Sequence, residues 1–95
     1  MSPQDKVKEL EFTAAAILRL RVCANISDDA SKSYDPLTID LENKIAHSYI
    51  FDFFDGGRHH KFNELSEVEL WLNMELFRTL QMMKDEMRGE QENEN

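Results

Sequence analysis

The sequence predicts a small α+β domain: an antiparallel sheet of three to four strands packed against a long C-terminal helix, with a second helix at the N-terminus. Three observations carry that expectation. Ser66-Glu67-Val68-Glu69 reads as a capping box ahead of a long run of apolar residues at helical spacing. Residues 47–62 (HSYIFDFFDGGRHHKF) concentrate Tyr, Ile and Phe around Gly56-Gly57, the composition of a β-hairpin. Ser2-Pro3-Gln4-Asp5 is a helix start, with a Ser cap, Pro in the first turn and an acid behind it. The competing architecture is a three-helix all-α domain, in which a helix from Asp35-Pro36 ends at the paired glycines.

Along the chain, Val7, Leu10, Ala14 and Ile17 recur at three- and four-residue spacing, and three consecutive alanines favour helix. The same stretch also alternates, with every even position from Leu10 to Ile26 apolar. Arg19 and Arg21 spoil a helical stripe but suit the outer face of a strand. The reading is therefore helix to about Ala15, then strand to about Ile26, with Cys23 a small core or sheet-face residue. Ser27 to Pro36 is a polar connection, and Leu37 to Leu41 alternates as a short strand. With Gly56-Gly57 at the turn, the hairpin pairs Asp55 with Arg58, Asp52 with Lys61 and Phe51 with Phe62. The last helix is expected from about Glu67 to Arg88, with Gly89 as its stop. Residues 1–88 then form one domain, and residues 89–95 an acidic tail with no apolar residue to fold it.

Composition excludes several functions. Ninety-five residues have room for one core. No run of eighteen apolar residues exists to span a bilayer, and MSPQDKVKEL lacks the basic-then-apolar order of a secretion signal. The expectation is a cytoplasmic protein with no membrane contact. A lone Cys23 makes no internal disulfide. The net charge is −8, which disfavours direct nucleic-acid binding. It is unevenly spread: residues 1–63 hold ten acids and eight bases, residues 64–95 nine acids and three bases.

The last helix carries the functional expectation. Val68, Leu72, Leu76, Leu80, Met83 and Met87 form one stripe, read as the core face. Leu70, Trp71, Met74, Phe77 and Met82 lie over the other half of the wheel, and seven of the ten positions from Val68 to Phe77 are apolar. Such a helix needs cover on both sides, so a homo-oligomer, dimer or higher, or a partner protein is predicted. Four of the five methionines are here, and Met repacks readily against partners. Glu64, Glu67, Glu69, Glu75, Asp85 and Glu86 are spaced along the same rod as an acidic face for a protein with a basic, nucleic-acid-binding surface. By size and charge alone this is analogous to small acidic inhibitors of nuclease and restriction machinery, many of them from phages.

A second class of function rests on the basic residues. Arg19, Arg21, Arg58, His59, His60 and Lys61 form a candidate patch for a small anionic ligand of nucleotide type. His59 and His60 point to opposite faces of a strand and do not chelate one metal together, and His47 offers no HxH or HxxxH spacing. No metal, cofactor or catalytic residue is assigned. The leading expectation is a non-enzymatic interaction protein.

Overall fold

The structure, a computed structural model, describes residues 2–26, 36–48 and 59–93, with side chains as far as residue 88. Its order is α1 (Pro3–Cys23), β1 (Thr38–Asp40), β2 (Ile45–His47), β3 (His59–Lys61) and α2 (Leu65–Asn93). The α+β class is as expected; the all-α alternative is not what forms.

Helix α1 starts as its sequence directs: the Ser2 hydroxyl accepts the Asp5 N–H at 3.2 Å, with Pro3 in the first turn. It does not stop at Ala15. Leu10, Ala14, Ile17 and Arg21 are all buried, one stripe at intervals of three and four. The expected strand from residue 16 to Ile26 is therefore a correction. Arg21 continues the stripe because its charge is met inside the protein, and the alternation of small and apolar residues is secondary to that. Cys23 lies exposed at the end of α1, not in the core. Asn25 closes the helix with φ 57°. Its N–H bonds Val22 O at 3.0 Å and the Ile26 N–H bonds Arg21 O at 2.8 Å, the paired bonds of a left-handed cap.

The three strands pair antiparallel in the order β1-β2-β3. Residues Leu41–Lys44 turn β1 into β2, and the Asp40 carboxylate holds them by accepting the Asn43 backbone N–H at 3.1 Å and its side-chain amide at 2.8 Å. These bonds hold the Asp40 carboxyl below the usual carboxylate range, the side-chain amide first. A depressed folded-state pKa gives stability present above the ordinary carboxylate value and lost as pH falls through the folded one. Protection of the Asn43 amide against exchange, relative to the intrinsic rate, should accordingly fall only in strongly acid solution, and an Asp40→Asn variant should show no such acid-dependent change.

The pairing Ile45↔Lys61, Ala46↔His60 and His47↔His59 corrects the expected register. Lys61 stands opposite Ile45, not Asp52, and the Phe62 N–H bonds Lys44 O at 2.9 Å. The other expected pairs involve Phe51, Asp52, Asp55, Gly56, Gly57 and Arg58, which lie outside the described residues. Packing sets this register rather than charge pairing. Ile39, Ala46 and His60 form one row facing the helices, and Ala46 is fully buried, leaving room for the larger groups above it. Thr38, His47 and His59 lie on the opposite face, where the two imidazoles stack with ring centroids 4.0 Å apart.

Helix α2 begins at Leu65, so Ser66 sits inside its first turn and is not the cap. The carboxylate of Glu67 reaches back to accept the Asn63 N–H at 2.9 Å. At the far end the helix passes through Gly89, the expected stop, and continues to Asn93. The core joins Leu10, Ala14 and Ile17 of α1, Leu37, Ala46 and Phe62 of the sheet region, and Val68, Trp71 and Leu72 of α2. The two helices run the same way side by side: Lys6 meets Glu69, and Arg21 meets Glu75 and Thr79. No helix among the described residues is long and apolar enough to cross a membrane.

Candidate functional site

The buried stripe of α2 is Val68, Trp71, Leu72, Glu75 and Thr79. It departs from the expected core face because steps of four residues drift 40° each, carrying the last members off the contact. Leu76 still packs against the core, Met83 is half-buried, and Leu80 and Met87 are 45% and 62% exposed. Toward the middle of α2 the stripe turns polar, at the level where that of α1 turns to Arg21. There the guanidinium donates from Nη2 to Glu75 Oε2 at 2.7 Å and from Nε to Thr79 Oγ1 at 2.8 Å. Arg78, on the surface, adds a 3.5 Å contact to the second Glu75 oxygen. Each polar group completes the others, so the helices close tightly without an orphaned charge.

This cluster rearranges both sites expected from sequence. Glu75 is removed from the acidic face: it is 4% exposed and works inside. Glu69 pairs with Lys6, whose ammonium it holds above the usual lysine value. Glu67 is partly committed to Asn63. Glu64, Asp85 and Glu86 stand exposed as expected. The anionic-ligand patch loses Arg21 to the interior. It also loses His60, which turns inward to meet Trp71 edge-to-face at 4.7 Å. Arg19 is exposed on α1, whereas His59 and Lys61 are exposed on β3, and Arg58 is outside the described residues. Arg19 and Arg21 lie on α1 and not on the outer face of the expected strand, so they share no sheet face with His59 and Lys61. Among the described residues no three His, Cys, Asp or Glu side chains converge as a metal site.

The apolar outer face divides similarly. Trp71 is 6% exposed and belongs to the core, a correction that follows from its position one residue before Leu72 on the buried stripe. Met82 is half-buried. Leu70, Met74 and Phe77, by contrast, are 58%, 51% and 69% exposed, and a shallow depression runs between Asn73, Met74, Phe77, Arg78 and Gln81. Sequence reasoning missed Arg21 and Glu75 as partners. The available signal was their spacing, each falling three or four residues beyond the last apolar member of its stripe. Comparison with known proteins finds no matching family model, no matching curated protein and no matching solved structure.

Proposed function

We propose that the protein is a non-enzymatic interaction protein that docks through the outer face of α2 and presents acidic groups to a basic partner. The observation that carries this reading is the exposure of Leu70, Met74 and Phe77 on a helix whose opposite face already fills the core. Three large apolar groups in one exposed row favour cover by another surface. Asp85 and Glu86, more than two turns beyond Phe77, and Glu64 at the other end supply the charge that selects a basic surface and speeds encounter with it. Such a partner is a protein that itself binds nucleic acid, whose phosphate-binding groups the carboxylates engage.

Capture from the native host tests the acidic part. A tagged chain should retain a basic protein at low salt and release it once the screening length falls well below about 8 Å. Asp85→Asn with Glu86→Gln should reduce capture several-fold. Retention that ignores both salt and neutralisation would remove the acidic-surface reading.

A further inference from the structure

We infer that the occupant of the outer face of α2 is a second copy of this chain, paired antiparallel; this rests on the docking face proposed above and names its partner. The face is a seam. Glu67, Leu70, Met74, Phe77, Gln81, Lys84 and Arg88 follow one another at alternating three- and four-residue intervals, the spacing that keeps a helix face turned toward a second helix. This seam is distinct from the buried stripe of Val68, Leu72, Glu75 and Thr79.

Charge along the seam chooses the occupant and its direction. The order is acid at Glu67, apolar at Leu70, Met74 and Phe77, neutral at Gln81, then basic at Lys84 and Arg88. Lys84 and Arg88 are exposed and have no ion-pair partner among the described residues. Two of the three bases of residues 64–95 thus stand on the seam, in a stretch otherwise dominated by acids. An acid–apolar–base sequence is complementary to itself when reversed. Laying a second α2 antiparallel places Met74 against Phe77 of the other copy, Leu70 against Gln81 and Glu67 against Lys84, with Arg88 over the Glu64 end. The twofold relation makes every contact twice, as in an isologous dimer. A parallel pair instead stacks Glu67 on Glu67 and Lys84 on Lys84.

Mass in solution and a charge swap test the inference on the full chain. Wild type should sediment at twice the 11.2 kDa of one chain at micromolar concentrations, and Phe77→Glu at the single mass with unchanged circular dichroism. Lys84→Glu with Arg88→Glu should weaken association about ten-fold or more, as should Glu64→Lys with Ser66→Lys, while their equimolar mixture recovers the double mass. Both pairs of substitutions are at exposed positions, so folding is preserved. A parallel dimer would already oppose like charges in the wild type, and neither variant would then fall below it. A monomeric wild type overturns the second-copy inference. If Phe77→Glu nevertheless abolishes partner capture, the docking face itself stands; if capture and mass are both indifferent to Phe77→Glu, both readings fall.

Discussion

Replacing Arg21 with methionine should destabilise the fold by about 3–5 kcal/mol, read as a lower urea midpoint. Met fills much of the volume along the stripe, so packing loss is a minor part of this. The cost comes from Glu75, whose side chain is 5% exposed and whose Oε2 faces Arg21 at 2.7 Å. Without the guanidinium that carboxylate stays in a poorly solvated place, with Arg78 at 3.5 Å on its other oxygen as weak compensation. Thr79, fully buried, loses its donor at the same time. A double variant, Arg21→Met with Glu75→Leu, should recover most of the loss, because it removes both charges and extends the apolar stripes. Equal destabilisation in the single and double variants would show that Arg21 acts through packing rather than charge. Substituting Lys6 should have little effect by comparison, since its pairs with Glu69 and Glu9 are open to water.

Trp71→Ala should cost a comparable amount, about 3–5 kcal/mol, measured by the same unfolding transition. Trp71 packs with Val68 and Leu72 in the core and meets the inward-turned His60 of β3, so it joins α2 to the sheet. Its loss opens a cavity between layers rather than within one, and short three-residue strands have few other contacts to hold them. Trp71→Phe keeps an edge-to-face partner for His60 and should recover more than half of the loss. A surface role for Trp71 would instead leave stability unchanged on Trp71→Ala while altering association.

Legibility in the sequence followed the kind of information each feature needs. Local chemistry was readable: Ser2-Pro3 starts α1, the alternation at 37–41 marks β1, and the apolar density after Leu65 marks α2. What required the partner element was not. Arg21 reads as a stripe-breaker until Glu75 is opposite it, and Glu75 reads as surface charge until Arg21 is. The register of β3 on β2 was sought in charge and aromatic pairs, whereas Ala46 and His60 beneath the helices fix it. Of the acidic face, Glu64, Asp85 and Glu86 are where expected. Of the apolar face, Leu70, Met74 and Phe77 are exposed, and Trp71 is on the other side of the wheel.

The side-by-side, same-direction course of α1 and α2 also bears on how quickly the domain assembles. Lys6 and Glu69 are 63 positions apart, Arg21 and Thr79 58. The contacts that secure the core thus join the first quarter of the chain to its last third, and nearly all the intervening residues must be looped before any of them form. Such a topology folds more slowly than a bundle of sequential hairpins of the same size. It also means that a nascent chain on the ribosome cannot complete its core until α2 has emerged, so α1 spends synthesis with Leu10, Ala14 and Ile17 uncovered.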